Sequence, residues 1–413
     1  MYISPFTPTS LSLPLLSRFL AFAGHFDSLW SLPIILSPEL TSSETFMHQT
    51  FCRMCISPTI LPTKKVRAMA LPNFNTSGFY KDDTTVYLPP YSPTEPTTLI
   101  YFITGNPGLI GYYATFLQSL SDILRKPQQG SYRSSSNQSS NLNISVLGTS
   151  LAGFETASPR KAELQEGPFS LQEQIELSEE RLGTFIHRHA ASSPDFSAPT
   201  KVILMGHSVG AYILLELLQR QQERLQTGDE EIPRVDIVGG ISLFPTVTWI
   251  AKSPSGRRLG WALTLPGFAR VVGVLAKGLG FVVPEFILRR IVGALARMPP
   301  KAARTTTEFL KSPLGVRQAL LMAADEMRMI EEDRWDDALW ACERTRLVFY
   351  FGERDHWVDD GFRNELIRLR SVEGRDWPKM VLDQQRIPHD FCISRSEETA
   401  EITAEFVERI LEK

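Results

Sequence analysis

Three residues far apart in the chain, Ser208, Asp355 and His389, are of the types that acyl transfer to a hydroxyl requires. Such a reaction needs a nucleophile, an imidazole to take its proton, a carboxylate to hold that imidazole in the right tautomer, and donors for the developing oxyanion. Ser208 stands in Gly206-His207-Ser208-Val209-Gly210. Glycines two residues either side of a serine allow a strand and a helix to approach closely, in a strained turn that projects the hydroxyl above a sheet. Serine, aspartate and histidine also occur here in the order met when such a turn carries the nucleophile.

Asp355 has rivals in Asp359 and Asp360, which read as solvated loop or helix-start residues further from the preceding strand. His389 has rivals in His207, which lies beside Ser208 and is poorly placed to reach its neighbour's hydroxyl, and in His356, which adjoins the proposed acid. His25, His48, His187 and His189 have no strand end before them. One oxyanion N–H is expected from Val209 and one from the turn Thr104-Gly105-Asn106-Pro107-Gly108. Pro107 has no N–H to offer, which leaves Asn106 as the natural donor. The same pentapeptide also reads as a plain tight turn, and it lacks the Lys-Ser/Thr ending of a phosphate loop.

These residues need a scaffold that brings distant loops together. The apolar run Lys201–Leu204 ahead of the turn predicts a strand, and the periodic stretch Ala211–Leu225 after it predicts a helix. Further strands are expected at Thr84–Leu88, Thr98–Ile103, Ile144–Leu147, Val235–Leu243, Thr345–Phe351 and Met380–Leu382. Helical spacing marks Tyr112–Leu124, Leu171–His187 and the stretch from Ser396 through Leu411. Strands alternating with helices imply an α/β fold with a mostly parallel sheet covered on both faces. Ligands bind such sheets at the carboxyl ends of the strands, where Ser208, Asp355 and His389 all fall.

The chain of 413 residues can bury a substantial core, and its net charge of −3 argues against a nucleic-acid partner. Cys52, Cys55, Cys342 and Cys392 are too few and scattered for a disulfide scaffold, and Cys52-x-x-Cys55 has no second pair to complete a metal site. The chemistry above needs no metal or organic cofactor. Residues 1–70, rich in Ser, Pro, Leu and Phe, read as a disordered extension or a poor targeting segment, with Met69 as an alternative start. Lys126–Asn143 reads as a disordered surface loop. The acceptor-like triplets at Asn75, Asn137 and Asn143 do not show secretion, because such triplets arise freely in Ser/Asn-rich sequence.

The core therefore divides into residues 80–245 and 341–413, with an insertion over 246–340 where the strand rhythm lapses. Within it, Trp261–Ala296 is apolar, cut by Pro266 and Pro284, and its charges and flanks are basic: Arg257, Arg258, Arg270, Lys277, Arg289, Arg290 and Arg297 against Glu285. No piece reaches the roughly twenty apolar residues of a membrane span. A helical cap whose apolar inner surface receives an acyl chain is one reading; an interfacial lipid anchor is the other, and the two are compatible.

Taken together, Ile103–Tyr113 (Ile-Thr-Gly-Asn-Pro-Gly-Leu-Ile-Gly-Tyr-Tyr), Ser170–Ile175, Gly206–Tyr212, Leu243–Thr246 and Ile387–Phe391 (Ile-Pro-His-Asp-Phe) resemble the lipid droplet-associated hydrolases. That family is a branch of the α/β-hydrolase superfamily. The resemblance covers about residues 84–412 and implies a serine nucleophile with Asp and His partners, matched by Ser208, Asp355 and His389. It further implies attachment to lipid droplets and the endoplasmic reticulum, and activity on sterol esters or other neutral lipids. Two other functions remain open on the residues: a droplet-surface protein that affects lipid storage by interaction with little hydrolysis, and acyl transfer to an acceptor other than water.

Overall fold

A computed structural model describes residues 71–412, except 73, 75, 77, 93–94, 126–141, 157–166, 191–199, 228–234, 343 and 372–373. The extension over 1–70, with Met69, Cys52 and Cys55, lies outside the described residues, as do Asn75, Asn137 and nearly all of the Ser/Asn-rich loop.

The described residues form one sheet of eight strands: β1 (Tyr80–Lys81), β2 (Thr85–Leu88), β3 (Thr98–Ile103), β4 (Ile144–Thr149), β5 (Thr200–His207), β6 (Val235–Leu243), β7 (Arg346–Phe351) and β8 (Lys379–Leu382), in the order β1-β2-β4-β3-β5-β6-β7-β8. The pairs β1–β2 and β2–β4 are antiparallel, and the rest are parallel. All six residues of β3 are buried, the mark of a central strand covered on both faces.

The helices are α1 (Ile110–Arg125), α2 (Leu171–Ala190), α3 (Val209–Thr227), α4 (Pro254–Leu263), α5 (Phe268–Val282), α6 (Glu285–Leu295), α7 (Pro300–Lys311), α8 (Gly315–Met329), α9 (Asp337–Trp340), α10 (Asp360–Arg370), α11 (Phe391–Ser394) and α12 (Ser396–Leu411). Consecutive positions on β6 show the two covered faces: residue 239 abuts Ile410 of α12, and residue 240 abuts Leu214 of α3. The core runs through both layers, from Phe116 and Val407 on one side to Leu214 and Ile175 on the other.

Two expectations need correcting. Regular structure begins at β1 rather than at Thr84, and two residues are too few to show a period. Its turn is built by Asp82, whose Oδ1 accepts from the N–H groups of Thr84 (2.8 Å) and Thr85 (2.6 Å). Strand β4 continues past Leu147 to Thr149, and Gly148 within it leaves room for Ile110 and Leu117 of α1.

Helices α4 to α9 occupy the connection between β6 and β7. Ser253 opens α4 by accepting from the Gly256 N–H at 2.9 Å, with Pro254 in the first turn. The apolar stretch 261–296 faces mainly outward: in α5 only Ala276 and Gly280 are buried. Phe281 is 91% exposed and Trp261 71%. Among the described residues no single helix is long and apolar enough to cross a membrane; α4 and α5 reach that length only as a pair bent by 92°.

Candidate active site

Ser208 is the single residue between the end of β5 and the start of α3, and its φ of 54° lies in the left-handed region, sparsely populated by non-glycine residues. The flanking glycines allow this. A Cβ at position 206 would sit 2.2 Å from the Gly210 carbonyl oxygen, and one at 210 would sit 2.4 Å from that of Ile103. The Ser208 N–H donates to Leu243 O at 3.0 Å and its carbonyl accepts from the Ala211 N–H at 2.9 Å, so the turn is tied to β6 and to α3.

The three residues singled out by their chemistry meet here. His389 Nδ1 lies 2.7 Å from Asp355 Oδ2, and its Nε2 lies 3.0 Å from Ser208 Oγ. Because a carboxylate only accepts, Nδ1 carries the proton and Nε2 is left to accept from the serine hydroxyl. Burial pushes the Asp355 carboxyl up, but the His389 charge and hydrogen bond, with His356 and the Trp357 N–H, outweigh burial and hold it below the usual carboxylate value. The rivals are elsewhere engaged. Asp359 caps α10 by accepting from Gly361 N and Phe362 N, and Asp360 pairs with Arg363 at 2.7 Å.

Several further residues support these three, and of them only Phe391 belongs to a stretch the sequence marks. Arg363 is buried and donates to the carbonyls of Gly352 (3.0 Å) and Glu353 (3.2 Å), fixing the loop that carries Asp355. Asp383 accepts from Tyr350 (2.6 Å) and from the Ile387 N–H (2.7 Å), shaping the approach to His389. Phe391, fully buried, packs on Phe116 at 5.1 Å and Phe244 at 5.6 Å. Burying such a ring contributes about 1.5–3 kcal/mol and anchors the far end of the His389 loop.

His207 makes no bond to the Ser208 hydroxyl. Its Nε2 meets the His389 carbonyl at 2.9 Å, and its Nδ1 meets the Tyr113 hydroxyl at 2.8 Å. The carbonyl only accepts, so Nε2 donates and Nδ1 accepts the tyrosine proton; the Tyr113 oxygen in turn accepts from the Gly105 N–H at 3.1 Å. Burial above all, then the nearby His389 charge, lowers the His207 pKa to about 3, so the ring stays neutral.

Val209 is the first residue of α3, where a helix leaves its N–H groups without intrahelical acceptors. Asn106 lines the same cavity as Ser208, its side-chain Nδ2 donating to Ala319 O at 3.0 Å and Glu326 Oε1 at 2.8 Å, both on α8. Around Ser208 and His389 is a cavity of about 110 Å³ with mostly apolar walls. Its insertion side comes from Leu259, Phe309 and the α8 residues Val316, Leu320, Ala323 and Met327 rather than from 261–296. Among the described residues no group of three or more His, Cys, Asp or Glu is arranged to hold a metal ion. The arrangement can take a proton from Ser208, hold the resulting imidazolium against a carboxylate, and present N–H groups to an anionic oxygen.

A mostly parallel sheet, a left-handed serine on its strand-to-helix turn, and an Asp–His pair delivered from later strand ends define an α/β-hydrolase. The family model for lipid-droplet associated hydrolases matches residues 96–392, and the chain belongs to that family. Relatives named lipid droplet-associated hydrolase are 25% identical in Gallus gallus (78% of this chain, 88% of the relative), 24% in Homo sapiens (78% and 88%) and 26% in Drosophila melanogaster (75% and 89%). Solved structures similar to it include a serine hydrolase from Cycloclasticus zankles, with TM-score 0.47 and 13% identity over 83% of this chain and 99% of that one. A thermophilic esterase from Thermogutta terrifontis has TM-score 0.44 and 12% identity over 79% and 93%.

Proposed function

We propose that this chain is a serine ester hydrolase that cleaves lipid esters, sterol esters or other neutral lipids, at the surface of lipid droplets and of the endoplasmic reticulum. The observation that carries this is the continuous hydrogen-bonded series Ser208 Oγ, His389 Nε2, His389 Nδ1, Asp355 Oδ2. Ser208 Oγ attacks the ester carbonyl carbon as His389 Nε2 takes its proton, and the tetrahedral oxyanion receives the N–H groups of Asn106 and Val209. Collapse breaks the bond to the alcohol, which leaves with the proton from His389. Water then gives a proton to His389 and attacks the acyl-enzyme, and return of that proton to Ser208 Oγ releases the acid.

The insertion serves as both cap and anchor in this reading. Its later helices, α7 and α8, wall the cavity, while α4 to α6 turn Trp261, Val274, Phe281 and Phe286 to solvent beside the exposed Arg257, Arg258, Arg270, Arg289 and Arg290. An outward apolar face rimmed by cations suits the boundary of a lipid phase with anionic headgroups. The name of the relatives, lipid droplet-associated hydrolase, supports the droplet as that phase. The same face supports the second reading, a droplet-surface protein acting by interaction. A panel from short p-nitrophenyl esters to emulsified cholesteryl ester and triacylglycerol, with wild type and Ser208→Ala, separates them. Turnover lost in the variant supports the hydrolase; a folded, lipid-binding wild type without turnover favours the interaction reading.

A further inference from the structure

Glu326 is a buried acid in the wall of the cavity that holds Ser208 and His389, and the reaction above makes no use of it. It belongs to the insertion, on α8, yet its carboxyl meets a residue 220 positions earlier in the chain, Asn106. Both donor directions of the Asn106 amide are spent on this one helix, at Glu326 Oε1 (2.8 Å) and Ala319 O (3.0 Å). The rest of the turn is held by the core: the Gly105 N–H donates to Tyr113, and the Gly108 carbonyl accepts from the Leu151 N–H at 2.8 Å. Asn106 is thus the point at which this turn is gripped by the insertion, and it is gripped by its side chain.

We propose that Glu326 is a positioning residue which, through the Asn106 side chain, sets the backbone N–H of Asn106 for the oxyanion. This deepens the hydrolase reading and rests on it. The physical case is short. An oxyanion donor works only where it is already aimed, and in a low-dielectric cavity a displacement of about 1 Å costs up to ~100-fold in rate. A turn carrying an aimed N–H needs a fixed partner beyond its own backbone. Helix α8 is itself fixed, since Gln318 exchanges hydrogen bonds with the backbone of Phe169 (2.7 Å each) and Asp325 accepts from the Leu171 N–H (3.1 Å). Burial, chiefly, pushes the Glu326 carboxyl up to about 8, against the lowering effect of Asn106 and His389. At neutral pH it is therefore mainly the uncharged acid, an acceptor toward Asn106 that glutamine can imitate.

The test compares Glu326→Leu, Glu326→Gln, Asn106→Ala and the double variant Asn106→Ala/Glu326→Leu. The measurements are the rate of Ser208 phosphonylation by a fluorophosphonate and the kcat and KM for a soluble ester. The expected result is a loss of about 10–100-fold in kcat and in phosphonylation rate for Glu326→Leu, with KM within about twofold. Glu326→Gln recovers most of that loss. Asn106→Ala reproduces the loss without touching the core of α8, and the double variant is no slower than either single one. An unchanged kcat in Asn106→Ala, a glutamine variant as slow as the leucine one, or losses that multiply in the double variant would overturn the assignment alone. A folded wild type inert to the fluorophosphonate would overturn the hydrolase reading, and this assignment with it.

Discussion

The imidazole of His207 holds the backbone carbonyl of His389, Nε2 to O at 2.9 Å, although the Ser208 hydroxyl is its neighbour in sequence. One neutral ring therefore joins three pieces of the site: the serine turn that carries it, the histidine loop it donates to, and, through Tyr113, the Gly105 N–H of the turn after β3. Each of these loops leaves a different strand, and the chain of donors and acceptors has a single consistent direction.

Breaking that link should slow the reaction without removing any reacting group. His207→Phe is expected to lower kcat by about 10–100-fold through misplacement of His389, with the Ser208 hydroxyl still labelled slowly by a fluorophosphonate. Full activity in the variant would show that the His389 loop is held by Phe391 and Asp383 alone.

The same ring makes the fold sensitive to acid. His207 titrates near 6.5 when exposed and at about 3 when folded, so between these values the unfolded chain binds a proton the folded one refuses. Stability contributed by the neutral ring is present above 6.5 and is lost as pH falls through that window. Urea unfolding at pH 7 and pH 4.5 should show His207→Phe losing less stability than wild type, by on the order of 1–3 kcal/mol. Equal losses would count against a buried neutral ring.

Glu326 has the opposite dependence. The unfolded chain releases its proton near 4.5 and the folded chain keeps it to about 8, so the folded state weakens as pH rises between the two. Asn106, His389 and Asp325 face this carboxyl, the first two lowering its pKa and the last raising it. Glutamine has no proton to lose, so the stability of Glu326→Gln relative to wild type should increase from pH 5 to pH 8 by on the order of 1–3 kcal/mol. A constant difference would mean that the carboxyl is solvated.

Removing the nucleophile should remove the chemistry and leave the fold. Ser208→Ala deletes one hydroxyl and none of the backbone bonds at Leu243 and Ala211, so its melting temperature should stay near that of wild type. Ester turnover should fall by about 10³-fold or more. Residual turnover near the wild-type rate would place the nucleophile elsewhere.

The outward face of the insertion should govern attachment and not turnover of soluble esters. Phe281→Asp with Phe286→Asp puts two acids into an exposed face otherwise made mainly of apolar and basic side chains. Flotation with an emulsion should show this variant mainly in the aqueous layer, with kcat for a short p-nitrophenyl ester within about twofold of wild type, since both rings point away from the cavity. Undiminished flotation would assign attachment to another surface.

Much of the framework is legible in the sequence because its signals are local. Thr98–Ile103 is a nearly unbroken apolar run and Val235–Leu243 is mainly apolar around Asp236, two glycines and Ser242; turn residues follow both, and their expected bounds match β3 and β6. Ser208 announces itself through its flanking glycines, and Asp355 and His389 through their positions after strands. Glu326 and Arg363 give no such signal. The contact of Glu326 with Asn106 lies 220 residues back along the chain, beyond the reach of any local pattern. The first helix shows a similar loss: helical spacing is expected from Tyr112, whereas α1 starts at Ile110, with Gly111 in its first turn facing Thr305 of α7. The direction of the 261–296 stretch was equally hidden, because an apolar helix looks the same in sequence whether it faces a cavity or a lipid.

The insertion leaves the sheet after β6 and rejoins it at β7, two strands already side by side, and the Phe244 N–H meets the Tyr350 carbonyl at 2.7 Å where it departs. Its entry and exit are therefore fixed by the sheet, whatever lies between them. Lengthening such an excursion is inexpensive, each doubling costing about 0.6 kcal/mol in closure entropy. Helices can then be added, shortened or exchanged there over evolutionary time while the strand register, and the Ser208, Asp355 and His389 loops that depend on it, stay as they are. The core that carries Ser208, Asp355 and His389 and the outward face of the insertion can change independently, while α8 stays tied to that core, at Asn106 through Glu326 and at Phe169 through Gln318.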